Sequence, residues 1–284
     1  MRAKIVYAIV FVLIVGSWAG NIAIDRQYRL PEGGFLNHHI EMDYARGASF
    51  ELLYVANSDD KKKPVSARID ELPGVLFYPA QVHSRLSHQT IYLLRGYVEN
   101  IEAGEGTSEQ APFEINAVNV GFSDGTQAHL NIGLIVAYRE PWITEEPPFS
   151  GSSTSSSSDH TGKATTRMTK AAKLTDVSSR WLDELGSEFR FGIDDGTASL
   201  KGTESIAGSL PLELRPNDVL STHYEFLIPH GTAHALDVYN VLLKQRFEEP
   251  DGRKSTQFIF ANFLPYPTEA DMKAYVRAKR RQAE

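Results

Sequence analysis

The chain has 284 residues, a net charge of −7 from 29 Lys and Arg against 36 Asp and Glu, and no cysteine. Without thiols it holds no disulfide, no thiolate metal site and no cysteine nucleophile. The mildly acidic balance argues against a general nucleic-acid binder, which carries a basic face.

The first element is the apolar run Ile5 to Val15, behind Arg2 and Lys4, with apolar character resuming at Ile22, Ala23 and Ile24 before Asp25 and Arg26. A bilayer helix needs about 20 such residues, so residues 1–24 are expected to be a single-pass membrane anchor with the bulk of the chain extracytoplasmic. The competing expectation is a signal segment cleaved after Ala19, since Ser17 and Ala19 are small residues at the −3 and −1 positions before Gly20. Residues 25–34, polar with Pro31 and Gly33-Gly34, read as a juxtamembrane connector.

Residues 35–146 read as a β-sandwich domain. Ser49 to Ala56 is dense in strand formers, Asn57 to Pro64 is a charged loop, and Val65 to Ile69, Leu72 to Tyr78 and Thr90 to Val98 are further strands. The clearest local pattern is a hairpin. Val118, Val120 and Phe122 alternate into Asp124-Gly125, and Ala128, Leu130, Ile132, Leu134, Val136 and Tyr138 continue at period two. The span of about 105 residues matches an immunoglobulin-like domain, without its cysteine pair.

Residues 147–172 are so rich in Ser, Thr and Gly that a flexible linker is expected, because such a segment buries too little to offset its ordering entropy. No nucleophile elbow surrounds any of its serines. Residues 173–266 read as a second immunoglobulin-like β domain. Leu174, Val177, Trp181, Leu182 and Leu185 fall at helical spacing, Asp194-Asp195-Gly196 and Pro250-Asp251-Gly252 mark hairpins, and Val238 to Phe247 and Ser255 to Leu264 are apolar on both faces, as central strands are. Residues 267–284 form a C-terminal helix, capped by Thr268, acidic at its start and basic at Lys279-Arg280-Arg281.

Few residues suggest chemistry. His38-His39 with Glu41 puts His39 and Glu41 on one strand face, and His230 and His234 have i,i+4 spacing, but Pro229 and Gly231 make the latter a loop. Lys61 to Lys63 reads as a solvated loop tip and Asp194-Asp195 as a turn. No catalytic, cofactor-binding or metal residue is assigned. The expectation is mainly β: a membrane helix, two sandwich domains and a short C-terminal helix, with a binding or structural role at the cell surface toward a protein or cell-wall partner. The alternative is a hydrolase acting on cell-surface polymers.

Overall fold

The computed structural model describes residues 2–100, 110–139, 146–196 and 199–283. Period-two alternation of apolar side chains produces strands, and these form three sheets. A five-stranded sheet covers the N-terminal half, with Ser49–Asn57 and Gln89–Val98 at its centre and the short Gly34–Phe35, Val75–Phe77 and Gln81–Arg85 around them. Another five-stranded sheet covers the C-terminal half, in the order Phe149–Ser156, Thr161–Met168, Val219–Phe226, Phe189–Asp194, Ser199–Lys201.

The third sheet, of eight strands, lies under both. Its order is Leu212–Leu214, Ala172–Ser178, Val238–Glu248, His38–Asp43, Gln127–Arg139, Gln110–Phe122, Pro64–Arg68. Lys254–Phe263 pairs with the remaining side of Val238–Glu248. The expectation of two immunoglobulin-like sandwich domains is met as sandwich architecture. Each half has its own core, one around Phe50, Leu52, Val120 and Ile132 and the other around Phe191, Leu220, Val241 and Ile259. The halves share one sheet, joined where His38–Asp43 runs parallel to both neighbours, His38 opposite Val238 on one side and Gly133 on the other.

Ser49–Asn57 buries both faces. Phe50, Leu52 and Tyr54 enter the sandwich, while Leu53 and Val55 turn outward onto Met272 and Val276 of the C-terminal helix Glu269–Ala283. Each such fully buried side chain contributes about 1.5–3 kcal/mol, which explains why this helix docks. Its start is fixed by a reciprocal cap: Thr268 Oγ1 accepts the Asp271 N–H at 3.2 Å, and Asp271 Oδ2 accepts the Thr268 N–H at 2.9 Å.

Several expectations are corrected. The linker over 147–172 is a hairpin of Phe149–Ser156 and Thr161–Met168. Ala164, Thr166 and Met168 fall at period two and are buried, and Val219–Phe226 supplies a full ladder, which composition does not reveal. The Asp159 carboxylate accepts the Thr161 N–H and hydroxyl at its turn. The helix expected from Leu174 is confined to Leu182–Leu185, because Leu174 and Val177 belong to Ala172–Ser178 and pair with Val238–Glu248. Tertiary pairing overrides the helical spacing there.

The connector over 25–34 is built into the fold. An N-terminal helix, Arg2–Tyr28, runs into it, Leu30 is buried, and Asn57 exchanges two hydrogen bonds with the Leu30 backbone, at 2.8 and 3.2 Å. The membrane span expected over 1–24 is not established: among the described residues no helix is long and apolar enough to cross a membrane.

Candidate binding site

The strand expected over Ser255 to Leu264, with apolar residues on both faces as in a central strand, is Lys254–Phe263. It lies at an edge. Ser255, Gln257, Ile259, Ala261 and Phe263 are buried, whereas Phe260 is 41% exposed. Among the described residues its only strand partner is Val238–Glu248, so one row of backbone N–H and C=O groups faces away from the sheet. On the opposing sheet Phe149–Ser156 is likewise an edge, paired among the described residues only with Thr161–Met168.

An open cleft of about 400 Å³ lies between these two edges. Ser155, Ser157, His160, Lys163, Phe260, Asn262 and Tyr266 are among the residues lining it. His160 packs on Phe263, ring centroids 4.4 Å apart, and burial lowers its pKa, so it is neutral near pH 7. The lining offers hydroxyls, an amide, a lysine and aromatic faces, but no carboxylate. Hydroxyls, an amide and aromatic faces of this kind are the groups that contact the backbone and side chains of an extended chain.

The residues singled out in the sequence lie elsewhere, His38, His39 and Glu41 at the joint between the halves. His38 is fully buried and bridges two sheets: its Nδ1 lies 2.8 Å from the Ile132 carbonyl oxygen and its Nε2 accepts the Leu53 N–H at 2.9 Å. These contacts require the neutral imidazole with the proton on Nδ1. Burial lowers its pKa to about 4.

Glu41, also fully buried, accepts four hydrogen bonds: from the Tyr138 hydroxyl at 2.7 Å, the Arg180 N–H at 3.0 Å, the Leu242 N–H at 3.2 Å and the Ser179 hydroxyl. One carboxylate thus ties strands of both halves to the segment before Trp181. His39 does share its face. Its ring stacks on Tyr239 at 4.6 Å and meets the edge of Trp181 at 4.9 Å, with Nδ1 at 3.0 Å from Glu184 and Nε2 at 3.5 Å from Asp237. Both ring nitrogens are engaged, which marks His39 as an interlock.

His230 and His234 diverge, as a loop requires: His230 lies 2.9 Å from Asp271 and His234 2.6 Å from Glu188. The Glu188 hydrogen bond raises the His234 pKa. Lys62 lies over the Phe122 ring at 4.3 Å, and the preceding Asp59 is paired with Arg29 at 2.6 Å. Asp194 accepts the Gly196 N–H at 2.7 Å, with Gly196 at φ 84°, as a turn demands. Among the described residues no group of three or more His, Asp and Glu is arranged to hold a metal ion.

No family description and no characterised protein sequence matches the chain. Solved structures are similar over most of its length. One is a protein of unknown function from Porphyromonas gingivalis W83, at 11% identity over 83% of this chain and 97% of that one, TM-score 0.22. Another is the Enterococcus faecalis MSCRAMM ACE, which binds its ligands by the collagen hug model, at 9% over 84% and 96%, TM-score 0.23. A third is the collagen binding domain of the Erysipelothrix rhusiopathiae surface protein RspB, at 7% over 83% and 93%, TM-score 0.21. TM-scores of this size assign the chain to no family.

Proposed function

We propose that this protein is a membrane-tethered, extracytoplasmic binding module that captures an extended polypeptide by strand addition along Lys254–Phe263. The observation that carries the reading is the ten-residue edge strand with an open side, set beside a cleft that can receive alternate side chains. An edge of this length invites pairing unless it is covered or charged, and Lys254 is its one charged residue.

The tether is supported by the N-terminal helix. Tyr7, Phe11, Leu13, Ile14 and Trp18 are between 61% and 76% exposed, in continuation of the run from Ile5. A contiguous apolar surface of that kind is suited to lipid. The alternative, a hydrolase acting on cell-surface polymers, asks for carboxyl groups about 5–10 Å apart across a cleft, and the lining of the edge cleft has none.

The test uses the full chain in detergent, screened against a displayed library of unstructured peptides. Bound peptides are expected to slow amide exchange along Lys254–Phe263. Phe260→Lys is expected to weaken them at least about tenfold, or about 1.4 kcal/mol, with the melting temperature unchanged. Peptides that protect other strands while leaving these amides unchanged would refute the edge as the site.

A further inference from the structure

The C-terminal helix does more than cover the outer face of the N-terminal sheet; it runs back along the N-terminal helix. Lys273 Nζ donates to the Tyr28 hydroxyl at 2.7 Å and lies over the Tyr28 ring at 4.6 Å, while the other contacts of Tyr28 are with the sandwich: its ring stacks on His88 at 4.8 Å and its carbonyl accepts from Gln89. Two turns further along, about 10 Å, Arg280 donates to the Arg26 carbonyl. The base of the apolar helix is thereby clamped to the fold, and the basic end of the C-terminal helix is carried toward its apolar part.

An open notch of about 470 Å³ results, lined by Ala19, Ile22, Arg26, Gln27 and Arg280. Its wall combines apolar Ala19 and Ile22 with polar Arg26, Gln27 and Arg280. Arg277, Lys279 and Arg281, in the same last turns of the C-terminal helix as Arg280, are exposed, and Asp25, next to Arg26 in the chain, lies 3.9 Å from His88. Arginine forks bind phosphate oxygens in bidentate fashion, and a small residue such as Ala19 leaves room for a hydrocarbon chain against a helix.

We propose that this notch is a binding site for an anionic phospholipid, its phosphate held by Arg26 and Arg280 and an acyl chain lying along Ala19 and Ile22. The occupant follows from charge complementarity joined to the apolar residues at the same place, and it rests on the membrane-tether reading above. A neutral lipid satisfies the apolar half alone.

The experiment reconstitutes the full chain, with Trp142 replaced by Phe, into vesicles of phosphatidylcholine and phosphatidylglycerol in which one lipid or the other carries brominated acyl chains. Trp18, 71% exposed on the apolar helix, reports the lipid beside it, and Trp181 is a buried, unquenched background. Flotation with pure phosphatidylcholine vesicles, resistant to high salt, tests the tether first; failure to float refutes the tether and the notch with it. Given flotation, brominated phosphatidylglycerol is expected to be enriched about fivefold or more around Trp18. Arg26→Gln with Arg280→Gln is expected to remove that preference without changing flotation or the circular dichroism spectrum, and the Lys replacements to restore part of it. Equal quenching by both lipids in the unsubstituted protein, or an unchanged preference in the double Gln variant, overturns the proposal while leaving the tether standing.

Discussion

The two sandwiches share a sheet but solve their edges and interiors differently. The N-terminal half ends its five-stranded sheet in pieces of two, three and five residues, and Pro64 begins the outer strand of its other sheet. Such short or proline-bearing edges resist pairing. The C-terminal half exposes edges of eight and ten residues on one side of its sandwich. Inside, Gln245 and Gln257 donate across the gap to Thr222 and Thr166, leaving their carbonyl oxygens without partners, whereas in the other half His38 is an inter-sheet bridge with both ring nitrogens engaged. One half is closed as a base; the other is left able to pair.

The largest effect is expected at the joint. Glu41→Ala removes the carboxylate that accepts from the buried Leu242 N–H, the half-buried Arg180 N–H and the Ser179 and Tyr138 hydroxyls, which should cost about 3 kcal/mol or more, with Glu41→Gln milder. Urea unfolding monitored by circular dichroism measures it. A loss near zero would mean that the halves are not held together through this carboxylate.

Acidification should act next, and on the N-terminal half. Unfolded His38 takes up its proton near pH 6.5 and folded His38 only near pH 4. Between these values the unfolded chain binds more protons, so stability present above pH 6.5 falls as pH drops, by about 3 kcal/mol in all. Urea midpoints between pH 7.5 and 4.5 should show this slope, and His38→Gln should flatten it.

The polar ties of the C-terminal half should matter less. Removing both partners together, as in Gln257→Leu with Thr166→Val, is expected to change stability by no more than about 1 kcal/mol, since no donor is stranded. A larger loss would show that these ties fix the spacing of the open side. The smallest effect belongs to His234. Its pKa is raised by Glu188, so its contribution is complete below about pH 6.5 and is lost as pH rises through the folded value. An imidazole NMR titration should give a midpoint above that of free histidine, returned to normal by Glu188→Gln.

What could be read in advance was what local chemistry fixes. Asp124-Gly125 sits in a turn with Gly125 at φ 82° between Gln110–Phe122 and Gln127–Arg139. Thr268 caps the last helix, and the Asp-Gly at 251–252 closes the hairpin of Val238–Glu248 and Lys254–Phe263. The Ser-rich hairpin was hidden because its stability comes from Val219–Phe226, some fifty residues away. The candidate site was hidden for a related reason. Whether Lys254–Phe263 is central or an edge depends on what lies beside it, and its own pattern, apolar on both faces, is the same in either place.

The sequence by itself therefore determined the β class, the hairpins and caps, the apolar N-terminal segment and the exclusion of thiol chemistry, because each is set by residues within a turn or two of one another. Only the tertiary structure decided the shared sheet, the docking of the connector and last helix, the engagement of His38, His39 and Glu41, and the open edge. Glu41 meets Tyr138, Ser179, Arg180 and Leu242 across 97 to 201 residues of chain. Contacts at that range follow from how strands are ordered in space, and hydrophobic periodicity, which repeats every two residues, carries a strand's face but not its neighbours.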